Sequence, residues 1–114
     1  MEQSFAGRRA TVMGLGTFGA QIAAVRFLAE RGARVTVTDL RSAEVLHASL
    51  RQIADLPDVR LHLGGHDDRD FHQCDLVVAS PAVRPENPFL QIARKAGVPV
   101  TSEIRLFWDR CGAP

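Results

Sequence analysis

The sequence predicts an α/β fold: a Rossmann-like, doubly wound sheet of five parallel strands in the order 3-2-1-4-5, with helices on both faces. Three observations carry this expectation. Short apolar runs alternate with stretches of helical periodicity, the pattern of repeated strand–helix crossovers. The first run, Ala10-Thr11-Val12-Met13, leads into Gly14-Leu15-Gly16-Thr17-Phe18-Gly19, the glycine spacing of a nucleotide-binding strand–turn–helix unit. Asp39 then closes the next strand, in the position where such a unit often carries an acid.

In chain order, the first strand is expected at about Arg9–Met13, followed by a helix from about Thr17 to Arg31. Phe18, Ile22, Val25 and Ala29 recur on one helical face, and Gly32 ends the helix where a left-handed cap is common. Arg34–Thr38 is the second strand. Its imperfect alternation fits burial on both faces. A second helix is expected from Ser42, an N-cap residue, with Glu44 in its first turn and Leu46, Leu50 and Ile53 as its apolar face. Pro57 follows it. Val59–Leu63 reads as the third strand, broken by Gly64-Gly65. The polar stretch His66 to His72 reads as a solvated loop with one short helical turn. Leu76-Val77-Val78-Ala79 is the most apolar run and is expected inside the sheet.

Asn87-Pro88 reads as N-cap and first residue of another helix, with Phe89, Ile92, Ala93 and Ala96 inside and Gly97 as its stop. Val98-Pro99-Val100 is expected as a short last strand. It belongs at the sheet edge, because Pro99 has no N–H for the ladder. Ser102 is then placed to cap a final helix bearing Ile104, Phe107, Trp108 and Cys111 on one stripe.

Composition bounds the function. The chain has 114 residues, enough for one domain, and a formal net charge of +1. Charge therefore supplies no general attraction to nucleic acid or to a membrane surface. No apolar run approaches the ~20 residues that cross a bilayer, and Met1-Glu2-Gln3-Ser4 has no signal-peptide pattern. Cys74 and Cys111 read as reduced thiols of a cytoplasmic protein, the alternative being a single bridge between them that no spacing supports.

The strand order puts a switch point between the first and fourth strands, and ligands of such sheets bind outside the carboxyl ends there. Three stretches are expected to converge on that crevice: Gly14–Gly19, Asp39-Leu40-Arg41, and the loop Ser80 to Pro85. In the glycine loop, Gly14 allows the turn, Gly16 admits a phosphate where a Cβ would clash, and Gly19 lets the helix pack close to the strand. The helix start then favours an anion. The other reading is a tight turn with no ligand. Asp39 is placed to accept from a ribose hydroxyl or a base N–H, or else to cap the second helix. Arg41 is placed to meet a phosphate or base, or else to lie solvated. Ser80-Pro81 either presents polar groups to a ligand or simply stops the strand. His66, Asp67, Asp68, Asp70 and His72 have metal-ligand types but match no defined metal spacing, so no metal site is expected. No nucleophile constellation and no G-x-x-x-x-G-K-[ST] occurs.

Four motifs in sequence order carry a resemblance: Gly14-Leu15-Gly16-x-x-Gly19, Asp39-x-Arg41, Val77-Val78-Ala79-Ser80-Pro81, and Ser102-Glu103-Ile104-x-Leu106-Phe107. Together they resemble the N-terminal domain of the Mur ligases of peptidoglycan synthesis, in particular the D-glutamate-adding family, over nearly the whole chain. The resemblance implies a domain that binds the UDP part of UDP-N-acetylmuramoyl-L-alanine. It implies a central domain with the P-loop and a C-terminal domain that completes the ATP and amino-acid sites. ATP and magnesium would belong to those domains, with no cofactor in this one. The whole ligase would form an acyl phosphate from ATP and the substrate carboxylate, which D-glutamate attacks.

By the same resemblance, the backbone of Leu15, Gly16, Thr17, Phe18 and Gly19 would face the diphosphate. Asp39, Leu40 and Arg41 would border the uracil, and Ser80, Pro81 and Ala82 would close over it. Phe18 stands where the family usually has Ser or Thr, Ala82 where it usually has Gly, and Leu40 where it often has Thr. The chain is expected to be an excised N-terminal domain that binds without catalysing. The competing expectation is the NAD-binding domain of a dehydrogenase or redox-sensing module, with Asp39 on the adenosine ribose. Ser102-Glu103-Ile104-x-Leu106-Phe107 favours the ligase, since a generic dinucleotide-binding domain has no need of it.

Overall fold

A computed structural model describes residues 6–15, 21–80 and 83–102. Five strands, β1 (Arg9–Met13), β2 (Arg34–Asp39), β3 (Val59–Leu63), β4 (Leu76–Ala79) and β5 (Val100–Thr101), form one sheet in the order β3-β2-β1-β4-β5. Every pairing is parallel. Among the described residues, four helices connect them: α1 (Ile22–Glu30), α2 (His47–Arg51), α3 (Arg69–His72) and α4 (Pro88–Lys95). The expected strand order and fold class are therefore borne out.

Alternation along the strands separates two apolar layers. Ala10 and Val12 of β1 and Leu76 and Val78 of β4 pack with Val25 and Leu28 of α1 and with Ile53. Met13, Val77 and Ala79 point the other way and pack with Phe71 of α3 and with Leu90 and Ala93 of α4. Helices thus cover both faces. All four residues of β4 are buried, as an internal parallel strand requires. Gly32 (φ 89°) and Gly97 (φ 80°) end α1 and α4 in the left-handed region.

Several elements depart from expectation. The start expected for the first helix at Thr17 and its Phe18 lie outside the described residues. β2 runs one residue further than Thr38, because Asp39 still pairs with Leu63 of β3. The second helix is much shorter than expected. Leu46 N–H reaches the Ser42 carbonyl at 3.1 Å, but the bonds of His47, Gln52, Ile53 and Leu56 run to the third residue back, so only five residues are regular α-helix. Ser42 Oγ accepts from Val45 N–H at 3.4 Å, a turn cap rather than a helix cap. Leu46 and Ile53 are buried all the same.

The short helical turn expected between His66 and His72 is α3, but the stretch is not solvated throughout, because Asp70 and Phe71 are buried. Phe71 is fully buried, and sequestering such a side chain is worth about 1.5–3 kcal/mol. That gain draws Asp70 inward with it. Its carboxylate meets His62 Nδ1 and lies 3.8 Å from the Arg60 guanidinium, which offsets the cost of burying it. Asp67 stays outside, where the Arg69 guanidinium holds its carboxyl down at about 2. On α4, Leu90 and Ala93 are the buried residues, Phe89 and Ile92 are half-buried, and Ala96 is exposed. β5 begins at Val100 rather than Val98, because Pro99 contributes only its carbonyl, to Val77 N–H at 2.9 Å. The final helix, with Trp108 and Cys111, lies outside the described residues.

Candidate functional site

The carboxyl ends of β1, β2 and β4 open onto one cavity of about 570 Å³ at the switch point. Gly14 makes the turn out of β1 at φ +86°, a conformation that L-residues avoid. Its N–H donates to the Thr38 carbonyl at 2.7 Å, and across the other side Ser80 N–H donates to the Met13 carbonyl at 3.2 Å. The turn is therefore tethered to both neighbouring strands. A Cβ on Gly14 would meet Ser80 Cβ at 3.6 Å, an ordinary contact, so backbone conformation and not space demands glycine.

Asp39 is the hub of the second wall. It is only 5% exposed. Oδ2 accepts Leu15 N–H at 2.9 Å, and Oδ1 accepts Arg41 N–H at 2.9 Å. Behind it, Gly64 N–H donates to the carbonyls of Asp39 (2.8 Å) and Arg41 (3.0 Å), and Gly65 N–H donates to Asp39 at 3.2 Å. The double glycine after β3 thus clamps the turn after β2. Asp39 does not cap α2, whose N-cap is Leu46. Leu15 is fully buried and lines the crevice, with its N–H bonded to Asp39. Leu40 is 70% exposed on the rim, beside exposed Arg41.

The third wall follows β4. Val83 N–H reaches the Ser80 carbonyl at 2.9 Å, and Asn87 N–H reaches that of Arg84 at 3.0 Å. Arg94 Nη1 and Gln91 Nε2 both donate to the Pro85 carbonyl, at 2.6 and 3.2 Å, pinning this loop to α4. Asn87 Oδ1 accepts Phe89 N–H at 2.9 Å, the N-cap expected from Asn87-Pro88.

The fold thus brings Leu15, Asp39, Leu40, Arg41 and Ser80 around one cavity. Gly16, Thr17, Phe18, Gly19, Pro81 and Ala82 lie outside the described residues. Further wall residues escaped sequence reasoning as crevice residues: Met13 at the end of β1, Gln21 at the start of α1, His66, and Glu86, Asn87 and Pro88 at the start of α4. The His66 ring meets Phe71 and Phe89 edge-on, at 5.9 and 5.1 Å between centroids. Burial pushes its pKa below 6.5, with the Asp39 and Asp70 carboxylates pulling the other way. Gly64-Gly65 was the available signal for His66, since a break after the third strand leaves the next residue at the same sheet edge. Among the described residues, no group of three or more His, Cys, Asp and Glu is arranged to hold a metal, and no helix is long and apolar enough to cross a membrane.

Comparison with known proteins follows the same lines. Residues 8–102 match the family described as Mur ligase MurD-like, N-terminal domain. The UDP-N-acetylmuramoylalanine–D-glutamate ligase of Roseiflexus sp. (strain RS-1) is 50% identical over 109 residues, covering 96% of this chain and 23% of the relative. The chain therefore spans about a quarter of that relative's length. Among solved structures, a pseudomurein peptide ligase type C from Methanothermus fervidus superposes with a TM-score of 0.64 at 25% identity, over 90% of this chain and 20% of that one. The UDP-N-acetylmuramate-alanine ligase MurC from Thermotoga maritima gives a TM-score of 0.61 at 25% identity, over 90% and 22%.

Proposed function

The chain belongs to the Mur ligase family as a MurD-like N-terminal domain, and from that premise we propose that its crevice binds the uridine diphosphate part of UDP-N-acetylmuramoyl-L-alanine. The observation that carries this reading is the convergence of Gly14-Leu15, Asp39-Leu40-Arg41 and Ser80 on one cavity at the switch point. Each wall suits a part of the ligand. Leu40 offers exposed apolar surface for the face of a base, and Arg41 beside it offers a cation to base or phosphate. Asp39 sets the shape of the base end by holding the turn from residue 39 to 41 against Leu15. The start of α1 offers the positive end of a helix dipole to the diphosphate.

The whole protein, on this reading, is a cytoplasmic ATP-dependent ligase that adds D-glutamate to this substrate in peptidoglycan synthesis. On this reading ATP and magnesium are held by other domains of the enzyme. The sequence has no P-loop, and the described residues contain no metal-ligand group. Those groups fall to the enzyme's central and C-terminal domains, so the chain alone binds without turnover.

Amide NMR tests the assignment. Addition of UDP-N-acetylmuramoyl-L-alanine is expected to shift the resonances of Leu15, Asp39, Leu40, Arg41 and Ser80 saturably while those of β5 stay still. Shifts confined to other surfaces, or none, would refute it.

A further inference from the structure

Three buried side-chain polar atoms have no hydrogen-bond partner among the described residues: Gln21 Nε2, Thr38 Oγ1 and His66 Nδ1. Gln21 and His66 line the same crevice. An unpaired buried donor is costly and uncommon in a folded protein, and one on a cavity wall has an evident partner in whatever fills the cavity.

Gln21 is the more telling of the two. It is only 6% exposed. Its backbone is committed to the fold, since its carbonyl accepts Val25 N–H at 3.0 Å as the first acceptor of α1. Its side chain makes no capping bond to the helix, and the first turn of α1 carries no acidic residue. Gln21 therefore stands on the cavity wall at the positive end of a nine-residue helix whose first turn has no carboxylate, and its amide nitrogen is shut off from solvent without a partner. Asp39, Leu40 and Arg41 line the same crevice. The partner suited to Gln21 is an anionic oxygen, which accepts hydrogen bonds and is favoured by the helix terminus.

We propose that Gln21 is a ligand-binding residue of the crevice, its side-chain amide donating to a phosphoryl oxygen of the bound uridine diphosphate compound. The proposal rests on the uridine diphosphate reading of the site. It gives Gln21 a signature that a structural glutamine lacks: removing the donor relieves the free protein and harms only the complex.

The test compares wild type, Gln21→Met, Gln21→Leu and Gln21→Glu by melting curves and by calorimetric titration with UDP and with uridine. Gln21→Met and Gln21→Leu are expected to melt at or above the wild-type temperature. They should bind UDP roughly tenfold more weakly and bind uridine as wild type does. Gln21→Glu should lose more UDP affinity than either, because it sets a carboxylate against a phosphate. Equal UDP affinity in wild type and Gln21→Met overturns this inference alone. A melting temperature lowered in both Gln21→Met and Gln21→Leu also overturns it, by making the amide structural. Absence of UDP binding by the wild-type chain overturns it together with the reading it rests on.

Discussion

Asp39 Oδ2 accepts the backbone N–H of Leu15 at 2.9 Å, joining the end of β2 to the glycine turn after β1. The other oxygen of the same carboxylate accepts Arg41 N–H, also at 2.9 Å. One side chain thus sets the relative position of two of the three crevice walls, and its influence on a ligand passes largely through the backbone it holds.

Asp39→Ala is therefore expected to destabilise the chain as well as weaken it as a binder. The buried N–H of Leu15 and the part-buried N–H of Arg41 lose a charged acceptor, at a combined cost of about 3 kcal/mol, and the melting temperature should fall on the order of 10 °C. Affinities for UDP and for inorganic pyrophosphate should drop together, because the wall itself shifts. Calorimetry and melting curves decide it. A variant that melts like wild type yet loses UDP alone would mean that Asp39 acts on the base and not on the fold.

Gly14→Ala should cost about 1–2 kcal/mol through its left-handed backbone, since the new Cβ finds only an ordinary contact with Ser80. The melting temperature should fall by roughly 5–10 °C. An unchanged value would show that the turn relaxes to accept an L-residue.

His66 makes stability depend on pH. Burial favours its neutral form, so its folded pKa lies below the unfolded value of about 6.5. The unfolded chain then binds the proton first, and stability is lost as pH falls through 6.5 towards the folded pKa. Proton NMR should place the His66 midpoint below 6.5, and His66→Leu should flatten the fall in stability below pH 7. A midpoint at or above 6.5 would mean that the Asp39 and Asp70 carboxylates outweigh burial.

Asn87→Ala removes the cap that Asn87 Oδ1 provides to Phe89 N–H. The expected cost is about 1 kcal/mol, with a melting temperature lower by roughly 4–8 °C. Chemical denaturation reads it directly. A change of under a few tenths of a kcal/mol would show that Pro88 alone holds the helix start.

The ends of β1 and β3 could be read residue by residue, because apolar β-formers there meet Gly14 at one end and Gly64 at the other. Strand order followed from the alternation together with the glycine turn and Asp39, since parallel crossovers leave few topologies. Helix lengths were less legible. Leu46 and Ile53 keep their apolar spacing across α2 although the backbone between Ser42 and Leu56 is mostly turn, so side-chain periodicity overstates the helix. Asp70 and Phe71 show the opposite failure, a polar stretch carried inside by one aromatic ring. For the site, the convergence of Gly14-Leu15, Asp39-Leu40-Arg41 and Ser80 was legible because the topology gathers these strand ends at one edge. The Asp39 bond to Leu15 was not, because a side chain reaching a backbone amide 24 residues away leaves no pattern in the sequence.

The central claim, that this crevice takes a uridine diphosphate compound, is tested most directly by parallel melting curves with UDP-N-acetylmuramoyl-L-alanine, UDP and NAD. At a ligand concentration near ten times the dissociation constant, binding adds about 1.4 kcal/mol. The uridine compounds should therefore raise the melting temperature by roughly 5–10 °C, with NAD leaving it in place. A rise with NAD and none with either uridine compound would contradict the account.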